Sequence, residues 1–174
     1  MNNKIYLIAL ILLGNLMLSC ESDDISHKNG FEVSHQVLEE FKISNNNSYK
    51  YIVIKSSWVG WYSETTITVA NGVIIKRHFE YFITDDLSED ITDEELEWTE
   101  NEDEIGDHKY AGAEALTLDE VYDKAENEWL IDRDNSKVYF ETENDGLIST
   151  CGYVHENCAD DCFNGIYIKK IESI

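Results

Sequence analysis

Four cysteines are the residues of this 174-residue chain best suited to covalent chemistry, and three of them lie close together near its C-terminus. Cys151 falls in a predicted strand, while Cys158 and Cys162 bracket the loop that follows it. Thiols in an oxidising compartment form lasting disulfides. We therefore expect one structural disulfide among these three cysteines, which allow three single bridges and leave one cysteine over. A bridge from Cys151 to Cys158 or to Cys162 would fasten the hairpin. So short a closed loop would contribute at most about 3 kcal/mol on the chain-entropy model.

The same segment offers two alternatives to a disulfide. His155 precedes Cys158 and Cys162, and Asp160 and Asp161 stand between the thiols. Structural zinc sites usually have four Cys or His ligands, and this segment supplies three. A thiol nucleophile assisted by His155 would need geometry that neighbours on one loop rarely give. The disulfide is the favoured interpretation, and we predict no metal and no cofactor.

Motifs of the common enzyme classes are absent from the sequence. It contains no Gly-x-Ser-x-Gly elbow, no Gly-rich phosphate loop and no His-Glu-x-x-His helix. Its carboxylates are too numerous for any pair to be singled out for acid–base work. We therefore predict that the protein is not an enzyme, and we assign no catalytic residue.

Three aromatic residues form the best candidate for a binding site. Trp58, Trp61 and Tyr62 lie at the predicted turn between the first two strands. Trp and Tyr anchor many interfaces, and they stack on planar ligands such as sugar rings. Packing within the hairpin is the alternative explanation. The cluster predicts a binding edge at this end of the sheet.

The fourth cysteine, Cys20, ends a segment typical of an export signal. Lys4 is followed by an apolar run, and Ser19 supplies the small residue before the cleavage point. The run is shorter than the roughly 20 apolar residues of a membrane span. The pattern resembles a bacterial lipoprotein signal, in which Cys20 becomes the lipidated first residue. A plain secretory signal and an uncleaved anchor helix are the alternatives.

The residues after Cys20 indicate where the mature protein is placed. Glu21-Ser22-Asp23-Asp24 resembles the surface-export signal of Bacteroidota lipoproteins. We expect an outer-membrane lipoprotein, exposed at the cell surface and attached to the membrane through lipid on Cys20. We assign residues 1–19 to the signal peptide, 20–30 to an acidic tether and 31–174 to one domain.

The chain is strongly acidic, with 36 Asp and Glu against 13 Lys and Arg and a formal net charge of −23. That balance opposes binding to nucleic acid phosphates. It favours either solubility alone or a cationic protein partner, and we expect a monomer. Fourteen acids and no Lys or Arg lie between Phe79 and His108. We predict an acidic insert at about residues 83–109, with a short helix capped at Thr92-Asp93-Glu94-Glu95 and a mobile loop elsewhere.

Apolar periodicity predicts an α+β domain with a mainly antiparallel sheet. About six strands form two three-stranded meanders, packed by one main helix and a short N-terminal helix. Asn71-Gly72 and Asp145-Gly146 are hairpin signals, and Thr117 with Glu120 forms a capping box for the main helix. The predicted helices are residues 31–41 and 118–130, and the predicted strands are residues 49–55, 65–69, 73–82, 137–143, 147–154 and 163–171.

The order of four short motifs resembles a family of small bacterial lipoproteins whose domain has no assigned function. The motifs are Tyr49-Lys50-Tyr51, the Gly72 turn between two strands, the Thr117-capped helix, and Ala159-Asp160-Asp161 before the closing strand. The resemblance implies the α+β fold and no activity. The chain lacks two features of the family. Leu147 and Ile148 follow Gly146 where the family usually has Gly-x-Pro, and Ser56 and Ser57 stand where the first strand usually has a cysteine.

These observations predict a lipid-anchored envelope protein that binds a partner. The acidic charge suits an inhibitor or immunity-type protein that captures a cationic protein by electrostatic steering. The alternative is an accessory surface lipoprotein that binds a carbohydrate or another ligand through Trp58, Trp61 and Tyr62.

Overall fold

The structure is a computed structural model that describes residues 27–58, 60–83, 91–109, 111–159 and 162–174. The predicted signal peptide, Cys20 and the Ser-Asp-Asp segment lie outside the described residues. So do residues 84–90 of the acidic insert, and Asp160 and Asp161 of the cysteine loop. Within the part described, no helix is both long enough and apolar enough to cross a membrane.

The described residues form an α+β fold around one antiparallel sheet. The helices are α1 (Lys28–Ser44), α2 (Asp93–Leu96) and α3 (Leu118–Lys124), which continues as a π-helical turn (Ala125–Trp129). A 3₁₀ turn spans Glu102–Glu104. The strands are β1 (Tyr49–Ser56), β2 (Tyr62–Ala70), β3 (Val73–Ile83), β4 (Glu97–Asn101), β5 (Ser136–Glu141), β6 (Thr150–His155) and β7 (Asn164–Ser173).

The sheet has the order β4-β3-β2-β1-β7-β6-β5. The two predicted meanders are present as β1–β2–β3 and β5–β6–β7, and β7 pairs antiparallel with β1 to join them. The predicted number of strands was wrong. A seventh strand, β4, comes from the acidic insert and pairs with β3 at the edge of the sheet.

The two hairpin signals produce the turns that they predict. Asn71 and Gly72 have φ of 50° and 80°, and Asp145 and Gly146 have φ of 52° and 92°. Positive φ at both central residues is the requirement of a type I′ turn, and Asn or Asp followed by Gly meets it at little cost. The first turn connects β2 to β3, and the second lies between β5 and β6.

Helix α1 is longer than predicted at both ends. It begins at Lys28, so residues assigned to the tether belong to it, and its C-cap is Asn45. Phe31, Ser34 and Leu38 are its buried residues, at the spacing of one helical face. The chain leaves the helix through Asn46, which has φ of 54°. Asn tolerates this left-handed conformation better than most residues.

Helix α3 has the predicted capping box. Glu120 N–H donates to Thr117 Oγ1 at 3.2 Å, and Thr117 N–H donates to Glu120 Oε2 at 2.7 Å. The last turn is π-helical rather than α-helical, with Leu130 N–H bonded to Ala125 O at 2.9 Å. This i→i−5 spacing places Trp129 and Leu130 in the core.

The Tyr-x-Tyr motif of β1 fastens α3 to the sheet. Tyr49 and Tyr51 are fully buried on the face that the helices cover. The Tyr49 hydroxyl accepts a hydrogen bond from Leu118 N–H at 2.8 Å, and the Tyr51 hydroxyl donates to Leu116 O at 2.5 Å. Burial, partly offset by the Leu118 bond, raises the pKa of Tyr49 to about 12. Both phenols therefore serve as neutral hydrogen-bonding groups that orient the start of α3.

The predicted short helix after Thr92 is present as α2. The prediction that the rest of the acidic insert is a mobile loop was wrong for β4, because a buried cation on β3 holds this strand against the sheet. Arg77 Nη1 bonds both carboxylate oxygens of Glu100 on β4, at 3.2 and 3.0 Å. Their side chains are 5% and 1% exposed. Arg77 also donates to the carbonyl oxygens of Ala111, Ala113 and His108 at 2.9 to 3.2 Å.

Backbone donors of the acidic insert also bond the Glu100 carboxylate. It accepts bonds from Gly106 N–H at 2.8 Å and from His108 N–H at 2.6 Å, and it lies 3.0 Å from His108 Nδ1. Burial acts to raise the pKa of Glu100, but these bonds and Arg77 outweigh it and lower the pKa. The Trp98 ring is stacked on His108, with centroids 4.2 Å apart. The acidic chain around β4 is thus folded around one ion pair and one indole.

Candidate functional site

A cleft interrupts the sheet between its two central strands. The β1–β7 ladder ends at the pair Val53–Ile168, although β1 runs on to Ser56 and β7 begins four residues earlier, at Asn164. Beyond that pair β1 is bonded only to β2, and the start of β7 is bonded to β6. The resulting cavity has a volume of about 580 Å³. Ligand pockets of proteins typically span ~300–1,000 Å³.

Aromatic rings line the cleft from two directions. Trp61, in the turn between β1 and β2, lies on one side, and Phe163 and Tyr167 lie on the other. The rings of Phe163 and Tyr167 are stacked with centroids 4.2 Å apart. Trp61 is held edge-on against Tyr81, with centroids 5.9 Å apart. The cleft therefore presents fixed aromatic surfaces beside main-chain edges.

Two glycines allow the Phe163 ring to lie flat against the sheet. Gly152 on β6 faces Gly165 on β7. A Cβ atom at Gly152 would lie 2.5 Å from Phe163 Cζ and 2.4 Å from Asn164 O, which no side chain tolerates. The absence of a side chain at Gly152 is what permits the aromatic wall of the cleft.

The structure places the three predicted binding residues in different surroundings. Trp61 lines the cleft, as a binding residue would. Trp58 is 75% exposed and is not among the lining residues. Tyr62 lies on the open face of the sheet, where its hydroxyl donates to Glu64 Oε1 at 2.6 Å and its ring contacts Phe82.

Sequence reasoning missed Phe163 and Tyr167, which complete the aromatic wall. Tyr167 is 41% exposed, an unusual exposure for a large aromatic side chain on a central strand. It alternates with the buried residues Ile166 and Ile168 on β7, but no sequence signal indicated that β7 separates from β1 there. The opposed glycines Gly152 and Gly165 were the available clue, because glycine in a strand often marks a close approach.

Lys55 contributes the one charged side chain among the cleft residues that the structure describes. Its Nζ donates to Gly112 O at 2.8 Å, which ties β1 to the loop before α3. Burial, together with the nearby Arg77 cation, lowers the pKa of Lys55. The ammonium group is therefore held by a hydrogen bond within the protein at the edge of the cleft.

The cysteines form one of the three bridges that the sequence left open. Cys158 and Cys162 form the disulfide within the β6–β7 loop. Cys151 is the cysteine left over, and it is a buried free thiol. Burial raises the pKa of Cys151 to about 12, which keeps the thiol protonated. The side chain of Cys151 points into the core from β6, whereas the loop lies beyond the end of that strand.

The disulfide also removes the thiols that zinc binding or nucleophilic catalysis would use. His155 Nδ1 lies 2.8 Å from Ser136 Oγ, on the neighbouring strand. Across the described ranges, no group of three or more His, Cys, Asp or Glu is arranged to hold a metal ion. The corner formed by Cys151, Cys158 and Cys162 is therefore a structural element beside the cleft, since Phe163 directly follows Cys162.

Charge is distributed unevenly between the two sides of the sheet. Acidic and basic residues occur in equal number on the open face of its strands. The acids there are Glu64, Glu80, Glu97, Glu141 and Glu172, and the bases are Lys50, Lys76, Lys137, Lys169 and Lys170. The excess of acid accordingly lies on the helices and loops, as in Asp119, Glu120, Asp123, Glu126 and Glu128 of α3 and its π-helical turn.

Comparison with known proteins returned no match to a family model, to a characterised protein or to a solved structure.

Proposed function

We propose that this protein is a lipid-anchored binding module of the bacterial envelope, and that its ligand site is the cleft between β1 and β7. The observation that carries the proposal is a cavity of about 580 Å³ at an interruption of the sheet, lined by Trp61, Phe163 and Tyr167. Concave sites with aromatic walls and a few polar groups are the usual form of ligand pockets.

The cleft is better explained by binding than by packing. Rings used only for packing are expected inside the core, whereas Tyr167 remains 41% exposed beside a cavity. The core itself is complete without them, because Tyr49, Tyr51 and Ile67 fill the space between β1, β2 and α3. The rings of the aromatic wall contact one another and neighbouring rings, but Tyr167 still presents exposed surface to the cavity, where a ligand can bind.

The chain supplies a matched pair of tryptophans to test the proposal. A glycan array and a displayed peptide library would first identify ligands of the wild-type chain. We expect Trp61→Ala to weaken binding at least tenfold, because central aromatic residues dominate such sites. Trp58→Ala, which removes an exposed indole outside the cleft, should leave affinity unchanged. Equal losses from both substitutions would contradict the assignment of the site.

The anchor is a separate part of the proposal and rests on the sequence pattern at Cys20. Growth with a labelled palmitate analogue should label the protein, and Cys20→Ala should abolish the label. Protease added to intact cells would report whether the domain is displayed at the surface. An unlabelled wild-type chain would contradict the lipoprotein assignment without affecting the cleft.

Capture of a cationic protein is a second candidate, favoured by the acid excess on the helical side. An inhibitor or immunity-type protein would use this surface for electrostatic steering. Binding to a panel of basic secreted hydrolases should then weaken steeply as salt is raised. Asp123→Asn with Glu126→Gln should slow association, while Trp61→Ala should have no effect on it.

A further inference from the structure

The main-chain groups on the walls of the cleft indicate a ligand class, an inference that rests on the proposed function. On the β1 side, Ser57 N–H donates to Trp61 O at 3.1 Å, so Ser57 occupies a hydrogen-bonded position of the β1–β2 register. Such positions alternate along an antiparallel pair. Ile54 and Ser56 therefore direct their N–H and C=O groups away from β2, toward the cleft.

The same reasoning applies to the β7 wall. Ile168 N–H donates to Ser149 O at 2.7 Å, and the β6–β7 register continues through the pairs Thr150–Tyr167 and Gly152–Gly165. By alternation, Gly165 and Tyr167 direct their main-chain groups away from β6 and toward β1.

Beyond the end of the β1–β7 ladder the two edges do not satisfy each other. In the last pair, Val53–Ile168, the flanking residues carry the bonds, so Ile54 N–H is directed to Tyr167 O. The main-chain groups of Ser56, further along β1, have no strand partner among the described residues. Exposed strand edges of this kind are templates for pairing with another segment. In this fold the template lies between the two central strands rather than at the margin of the sheet.

We propose that the cleft receives an extended polypeptide segment, which pairs with the β1 edge at Ser56 and packs a side chain against Tyr167 and Trp61. Strand addition obtains affinity from main-chain hydrogen bonds and selectivity from pockets for alternate side chains. The β1 edge is the pairing edge because Ser56 is small and exposed, while rings cover the β7 wall.

Charge limits which segments can bind. Inside the cleft the one charged side chain among the described residues is Lys55, whose ammonium group is bonded to Gly112 O, so the centre of the segment is apolar. The net charge of −23 attracts Lys or Arg in the parts of the segment that extend beyond the cleft. The occupant is thus an extended, basic-flanked stretch of a partner protein, with an aromatic or aliphatic residue at its centre.

The test uses random heptapeptides displayed on phage and selected with the full chain. A selected peptide is then synthesised with single N-methyl groups at each position. Removal of one main-chain donor should weaken binding about tenfold at alternate positions and leave the others within about twofold. Ser56→Pro removes the protein's own donor and should abolish binding, whereas Ser56→Ala keeps the donor and should not. Circular dichroism would check that both variants are folded.

Three results separate the possible failures. A binder that is indifferent to N-methylation and to Ser56→Pro would overturn strand addition. Selection of no peptide, together with glycan binding that requires Trp61, would overturn the polypeptide assignment and leave the proposed function intact. A chain that binds neither peptides nor glycans would overturn both proposals.

Discussion

Removing one member of the Arg77–Glu100 pair should destabilise the fold strongly. Both side chains are at least 95% buried, so the remaining charge would stay in the core without its partner. Such losses typically cost about 3–5 kcal/mol. A domain of this size is usually stable by about 5–15 kcal/mol. Either substitution should therefore consume a large part of the stability.

The other contacts of the pair predict that the two substitutions differ. Glu100→Gln leaves Arg77 bonded to three carbonyl oxygens, which partly compensate its charge. Arg77→Met leaves the Glu100 carboxylate with the donors of Gly106 and His108, but it also leaves those three carbonyl oxygens without their hydrogen-bond donor. We expect Arg77→Met to lie near the upper end of the range and Glu100→Gln near the lower end.

Urea unfolding followed by tryptophan fluorescence would measure both losses as shifts in midpoint at constant m-value. The double substitution Arg77→Met with Glu100→Met is the control, because replacing a whole buried pair with apolar residues costs less than the two single changes together. A loss below about 1 kcal/mol in both single variants would refute the view that this pair holds the acidic insert on the sheet.

Three further outcomes follow from the same structure. Because the folded pKa of Glu100 is lowered, its contribution to stability is present above about pH 4.3, the ordinary Glu value, and is lost as the pH falls through the folded value. Acid titration of Glu100→Gln should lack that component. In the native state Cys151 should resist alkylation because it is buried. Mass spectrometry of the unreduced protein should show that Cys158 and Cys162 are joined by a disulfide. Thr117→Ala should cost about 1 kcal/mol, typical of an N-cap, in the same urea assay.

Elements with strong local signals were predictable from sequence. The Asn71-Gly72 turn and the Thr117 cap each depend on a few adjacent residues, and both formed as expected. Alternation in β1 likewise identified the buried face that carries Tyr49 and Tyr51. In each case the local preference and the tertiary structure require the same conformation.

Features that depend on distant pairing were not predictable. Strand β4 was missed because its sequence, Glu97 to Asn101, is mostly polar, and its stability comes from Arg77, which lies twenty-three residues from Glu100 in sequence. The disulfide partners stayed open because spacing alone does not show that Cys151 points into the core. Both features depend on contacts that only the assembled sheet creates.

The candidate site was predicted in part. Trp61 was identified from its residue type and its place in a turn, but Phe163 and Tyr167 come from the opposite end of the chain. Their meeting with Trp61 requires β7 to pair with β1 and then to separate from it. A cluster of aromatic residues in one turn indicated the correct end of the sheet without indicating the cleft.

Residue-resolved hydrogen exchange by NMR would examine the open edge of the cleft with and without a ligand. In the free chain, the amide of Ser56 should exchange much faster than the amide of Lys55, which pairs with β2. A ligand selected by display or array should then slow exchange at Ser56, and Trp61→Ala should remove that effect. Equal protection of Lys55 and Ser56 in the free chain, or a bound ligand that leaves the exchange of Ser56 unchanged, would contradict the proposed binding site.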